Sequence, residues 1–182
     1  EKIDLFFSKN TQKNKIIIDK LPLNIIEAGF IYRIFPKSKF IFCLRHPCDS
    51  VLSCFMNRFK MNNAMAIFTN ISDTISFYNQ VMSLWKQYTS ELPIKFKAIK
   101  YENLVEDLED TIKPILNFLN LEWDNSMLGF NRTALKRTKI NTPSYNQVIK
   151  PLYNQAIGRW KRYDEMLEVY PKLEKWINEF HY

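Results

Sequence analysis

The sequence predicts an α/β fold, a parallel sheet flanked by helices, and three observations predict it. A short β-branched run at residues 15–19, an almost wholly apolar run at 39–44 and a third segment at 96–100 read as strands. Stretches with apolar residues at helical spacing separate them, so successive strands need crossovers and should run parallel. The 182 residues, 46% apolar and 15% aromatic, suffice for one domain with a sizeable core.

Residues 1–14 turn polar from Ser8 onward and read as a helix end and linker. Because the first residue is Glu1, the sequence is expected to begin inside a longer chain. Residues 15–19 (Lys-Ile-Ile-Ile-Asp) suit a buried strand that Pro22 interrupts. Asn24 is placed to cap a helix carrying Ile25, Ala28, Ile31, Tyr32 and Phe35, which Pro36 ends. Residues 39–44 (Lys-Phe-Ile-Phe-Cys-Leu) read as a strand covered on both faces, with Cys43 as a small hydrophobe within it. Arg45-His46-Pro47 stops that strand, and Asp49 is expected to cap a helix reaching about Phe59. A further helix should span residues 72–89, with Ile75, Tyr78, Met82 and Trp85 on one face. A strand at 96–100 then leads into Tyr101 and a helix bearing Ile112, Ile115, Leu116 and Leu119, with Pro114 expected near its first turn.

Rare residues exclude several mechanisms. The glycines are Gly29, Gly129 and Gly158, so neither GxGxxG nor GxxxxGK[ST] can be written. Two histidines, His46 and His181, lie too far apart in sequence for HExxH or a Cys/His zinc cage, so zinc catalysis is not expected. Cys43, Cys48 and Cys54 are an odd number crowded into one stretch, poor material for a disulfide framework, which points to a reducing, cytoplasmic setting. No apolar run approaches the ~20 residues of a membrane-spanning helix.

Charge is divided unevenly within a net +7 and a pI of about 9.2. Residues 101–125 hold seven acids against Lys113, whereas residues 132–162 hold eight Lys and Arg and no acid. The second block reads as a long loop seeking an anion. In open parallel sheets ligands bind beyond the carboxyl ends of strands. Lys20, Arg45 with Ser53 two helical turns on, and Tyr101 all follow expected strands, a set that suits a phosphorylated nucleotide. Taken singly, the same residues suit a solvated strand end, a partner for Asp49, a helix-surface hydroxyl and a half-buried aromatic.

Four blocks resemble the sulfotransferases that use 3′-phosphoadenosine 5′-phosphosulfate, most strongly bacterial domains attached to tetratricopeptide repeats, and also tyrosylprotein sulfotransferases. They are Ile-Asp-Lys-Leu-Pro-Leu-Asn at 18–24, Arg-His-Pro-Cys-Asp-Ser-Val-Leu-Ser at 45–53, Lys-Tyr-Glu-Asn-Leu-Val-Glu-Asp at 100–107, and Thr-Pro-Ser-Tyr-Asn-Gln-Val-Ile-Lys-Pro at 142–151 followed by Gly158-Arg159-Trp160. Together they cover about residues 15–173. The resemblance implies that residues 1–182 are the carboxyl-terminal portion of one sulfotransferase domain of P-loop-like fold, truncated at its amino terminus, with 132–162 a basic loop that covers the cofactor.

The resemblance also implies roles for individual residues. Lys20 corresponds to the catalytic lysine beside the departing phosphate oxygen. Arg45 and Ser53 correspond to the pair that grips the 3′-phosphate, and Tyr101 to a contact with the adenosine. Ser144, also given a catalytic role, Gln147 and Lys150 belong to the covering loop, and Arg159 is a second cation for the 3′-phosphate. The family's Arg-Ser-Gly-Thr-Thr type of phosphosulfate loop does not occur in residues 1–182, so this portion alone is expected to be inactive or impaired. His46 stands where the family commonly has Asp, and Asn120 where Gly is frequent. The acceptor is a hydroxyl or amine whose class the motifs do not specify. A reading from another class is a basic nucleic-acid-binding module, prompted by the acid-free block with Tyr145, Tyr153 and Trp160 interleaved.

Overall fold

A computed structural model describes residues 16–57, 59–131 and 152–182. Among them, two parallel strands, β1 (Lys39–Leu44) and β2 (Lys95–Lys100), pair in register from Lys39 against Lys95 to Leu44 against Lys100. Both begin and end at the same level. Helices flank the pair: α1 (Ala28–Ile34), α2 (Pro47–Met56), α3 (Ile71–Glu91), α4 (Tyr101–Glu106), α5 (Leu108–Leu119) and α6 (Glu165–Glu179). The α/β architecture is therefore the one the alternating pattern implies.

One face of the sheet carries Phe40 and Phe42, which meet the Trp85 ring of α3 with centroids 6.3 and 4.8 Å away. Ala28, Leu44 and Ile94 complete this core. A second core joins α2, α3 and α6 around Val51, Leu52, Ile75, Leu173, Trp176 and Ile177. Each buried aliphatic side chain of this kind contributes about 1.5–3 kcal/mol. That packing anchors α2, whose first turn begins where β1 ends.

Several local expectations need correction. Residues 16–20 form no strand: Ile16, Ile17 and Ile18 are exposed, and among the described residues no partner strand hydrogen-bonds to them. A β-branched run becomes a strand only beside a neighbour that takes its backbone groups. Asn24 lies inside a 3₁₀ turn (Pro22–Ile25) instead of capping α1, and its amide donates to Asp19 Oδ2 at 2.6 Å. Cys43 is exposed, because alternation turns it away from α3 and that side of the sheet is incompletely covered. Pro114 sits mid-helix in α5, where its ring removes the N–H that would bond the Asp110 carbonyl. Asn120 ends α5 at φ 61°, the left-handed region that glycine enters freely and Asn tolerates best among other residues.

Gly29 in α1 marks a close approach. A Cβ there would lie 2.6 Å from Tyr88 Cε1, and that ring is pinned by its hydroxyl donating to the Ile26 carbonyl at 3.0 Å. Alanine in place of a helical glycine ordinarily stabilises by roughly 1 kcal/mol. Here the clash reverses the sign, and Gly29→Ala is expected to destabilise the chain by about 1–3 kcal/mol in urea unfolding. A stabilised variant would contradict the packing of α1 on α3.

Candidate functional site

The register that pairs Leu44 with Lys100 makes Arg45 and Tyr101 the next residues off two adjacent strand ends. The Arg45 guanidinium lies over the Tyr101 ring, 5.5 Å from its centroid. Both side chains reach the same distant segment. Arg45 Nη2 donates to the Ala156 carbonyl at 2.5 Å, and Tyr101 Oη donates to the Tyr153 carbonyl at 2.7 Å. Burial raises the Tyr101 phenol above its ordinary pKa, with the Arg45 charge opposing the rise, so it stays a protonated donor near neutrality.

Asp49 holds that segment from the other side. Its carboxylate, on a residue 1% exposed, accepts from Gly158 N at 2.7 Å and from Trp160 N at 2.9 Å. Arg45 Nη2 is 4.0 Å from Asp49 Oδ1. The expectation that Asp49 caps its own helix is thus corrected. His46 takes the N-cap position, its Nδ1 accepting from Cys48 N at 3.2 Å, and the Asp49 carboxylate is engaged by a segment more than a hundred residues away. Gly158 enters a 3₁₀ turn (Arg159–Arg162) at φ 63°, so its lack of a Cβ lets the backbone present two N–H groups to one carboxylate.

An aromatic and carboxylate frame surrounds this bracket. His46 stacks on Trp160 at 5.2 Å and meets the Tyr182 ring edge-on at 5.3 Å. Glu102 Oε1 accepts from His46 N, and Oε2 accepts from Tyr182 Oη, each at 2.9 Å. Lys100 Nζ donates to the His181 carbonyl at 2.9 Å. The chain after α6 thereby returns to the strand ends.

Of the residues singled out in the sequence, Arg45 and Tyr101 are brought into contact. Arg159 lies between the two N–H groups bound by Asp49, and its Nη2 donates to Tyr163 Oη at 3.4 Å. Ser53 is exposed on α2, one turn beyond Asp49 and two beyond Arg45. Lys20 is exposed and, among the described residues, makes no hydrogen bond or ion pair. Ser144, Gln147 and Lys150 lie outside the described residues. Sequence reasoning missed Asp49, Glu102 and Tyr182 as parts of the frame. Asp49 carried a signal, a lone acid among the buried Pro47, Cys48, Val51 and Leu52 of α2, but a helix-start position explained it locally.

All three cysteines are free thiols. Burial, with the Asp49 charge adding to it, pushes the Cys48 thiol up to about 12, so it stays protonated and unreactive. Two buried side-chain donors at the site have no partner among the described residues: Arg45 Nε and Trp160 Nε1. The Arg45 side chain as a whole is 23% exposed, so part of this guanidinium faces solvent where an oxyanion can meet it. No helix among the described residues is long and apolar enough to cross a membrane.

His46 makes stability depend on pH. Desolvation lowers its pKa below the ordinary histidine value, and the Asp49 and Glu102 charges offset this only in part. A depressed pKa means that the unfolded chain binds the proton more readily. The contribution is therefore present above about pH 6.5 and is lost as pH falls from there through the folded-state value. Protonation also removes the Nδ1 lone pair that caps α2. Thermal unfolding should show Tm falling as the pH drops below about 6.5, with a shallower slope in His46→Asn, which retains a capping oxygen. An unchanged slope would contradict the neutral, capping imidazole.

Comparison with known proteins adds a lineage to this geometry. Residues 3–125 match the model of the sulfotransferase family. Similar curated proteins include an uncharacterised protein of Aquifex aeolicus, 27% identical over 155 residues, which cover 83% of this chain and 20% of that protein. Protein-tyrosine sulfotransferase 1 of Danio rerio is 25% identical over 156 residues, 84% of this chain and 43% of its own length. The Drosophila melanogaster protein-tyrosine sulfotransferase is 24% identical over 157 residues, 79% of this chain and 30% of its own. The chain thus spans less than half the length of these relatives.

Proposed function

The chain belongs to the sulfotransferase family, and from that premise we propose that it serves transfer of a sulfuryl group from 3′-phosphoadenosine 5′-phosphosulfate to an acceptor hydroxyl or amine. Its share of the site holds the donor's 3′-phosphate. The observation that carries this reading is the partly exposed Arg45 guanidinium, set at a strand end with Nη2 held by the Ala156 carbonyl and Nε without a partner among the described residues. A cation fixed in this way is preorganised to meet a phosphate oxygen.

Ser53 contributes a hydroxyl from α2, the helix that follows Arg45, and Arg159 contributes a second cation from the bracketed turn. Tyr101 offers the adenosine the part of its ring that Arg45 leaves open. When bound, the donor supplies the sulfuryl group and departs as adenosine 3′,5′-bisphosphate, with negative charge growing on the bridging oxygen. Lys20, free of partners among the described residues, provides the ammonium that compensates this charge; such a cation favours the transition state over the ground state. Ser144, Gln147 and Lys150 enter this proposal through the motif resemblance alone. Two relatives are named for protein tyrosine, which makes a tyrosine phenol the first acceptor to test. The proposal includes a cytoplasmic setting, no metal requirement, and attachment to tetratricopeptide repeats in the full-length chain.

Calorimetry on the full-length protein tests the central assignment. Arg45→Ala is expected to weaken adenosine 3′,5′-bisphosphate by about tenfold to a hundredfold, the scale of a lost hydrogen bond to a charged group, while adenosine 5′-monophosphate changes little. Equal losses for both nucleotides would overturn the role of Arg45. Steeply salt-dependent binding of oligonucleotides, with no preference for the bisphosphate, would favour the nucleic-acid reading instead.

A further inference from the structure

We propose that Asp49 is a positioning residue for phosphate recognition: by binding the backbone on both sides of Arg159 while standing beside Arg45, it fixes the spacing of the two cations. This rests on the nucleotide reading above and adds to it a group that never touches the nucleotide.

The geometry separates this role from that of a simple buried carboxylate. Asp49 spends both oxygens on N–H donors that bracket Arg159, those of Gly158 and Trp160, at 2.7 and 2.9 Å. Arg45 Nη2 stands 4.0 Å from Oδ1 and is bonded to the Ala156 carbonyl two residues before Gly158. Arg45 precedes α2, and Asp49 and Ser53 lie one turn apart on it, so along the chain the carboxylate stands between two of the phosphate-binding groups. A bare carboxylate there would repel a phosphate. Two charge-assisted backbone bonds and an adjacent guanidinium disperse its charge, while the Arg45 side chain remains 23% exposed. Trp160 closes the bracket from behind: it is buried, stacked on His46 and on Tyr170 at 5.2 and 5.5 Å, so the turn has little freedom to drift.

The test compares nucleotide selectivity, not stability alone. In the full-length protein, Asp49→Asn presents an amide donor to one of the two N–H groups and releases one side of the bracket. The ratio of affinities for adenosine 3′,5′-bisphosphate and adenosine 5′-monophosphate is expected to fall about tenfold. Adding Asp49→Asn to Arg159→Ala should cost almost nothing further, the non-additivity of two residues that act through one another. Gly158→Ala provides a milder variant: its Cβ has room, with Lys161 Cδ at 3.8 Å, but φ 63° strains it, and the ratio should fall about twofold to fivefold. An Asp49→Asn protein whose folded fraction keeps the wild-type ratio, or losses that add fully with Arg159→Ala, would overturn the positioning role. If Asp49→Asn does not fold, Gly158→Ala decides alone, and an unchanged ratio in it overturns the proposal. A wild-type protein that does not prefer the bisphosphate would sink the nucleotide reading itself, a result distinguishable from either.

Discussion

A carboxylate almost wholly removed from water dictates the arrangement at the strand ends. Burying such a charge costs several kcal/mol unless donors replace its hydration. Asp49 finds them in the backbone of a segment 109–111 residues away. The requirement acts on both partners. Gly158 must enter the left-handed region to turn two N–H groups toward one side chain, and α2 must be held where its first turn meets them. Packing of α2 on α3 and α6 through Val51, Leu52, Leu173 and Trp176 supplies that hold. The electrostatic constraint and the hydrophobic core therefore specify the same placement, which is what a foldable sequence needs.

Once the turn at 158–160 is fixed, the remaining polar groups follow. Arg45 leaves β1 beside the bracket and Tyr101 leaves β2 at the same level, and each bonds a carbonyl of residues 153–156. Glu102 ties the β1 side of the site to the segment after α6 by accepting from His46 N and Tyr182 Oη. The result is a cation whose position is set by hydrogen bonds on one side and an aromatic ring on the other, with donor capacity left for an anion. Family membership gives that anion its proposed identity, a nucleotide bearing a 3′-phosphate.

Much of this was legible in the residues. The apolar run 39–44 became β1 with the expected bounds, and the strand expected at 96–100 begins one residue earlier. The apolar spacing from Ile75 to Trp85 marked α3, because a long amphipathic helix announces itself through many positions at once. Arg45 and Tyr101 were identifiable as strand-end residues, and the parallel register brought them together. What stayed hidden depends on partners distant in sequence. Residues 15–19 had strand composition, yet residues 16–18 stand exposed with no strand beside them among the described residues. Asp49 looked like a local cap because nothing in its neighbourhood reveals a donor from Gly158. Pro114 was read against a later helix start than α5 has, and Cys43 against a sheet covered on both sides.

The central claim, that the strand ends hold a 3′-phosphate through a preorganised arginine, can be read most directly at the Arg45 Nε–H itself. Nitrogen-15 side-chain NMR of the full-length protein, titrated with adenosine 3′,5′-bisphosphate, should move the Arg45 Nε–H resonance as the guanidinium gains an oxyanion, whereas adenosine 5′-monophosphate should leave it in place. A resonance that ignores both nucleotides, or answers both alike, would contradict the account.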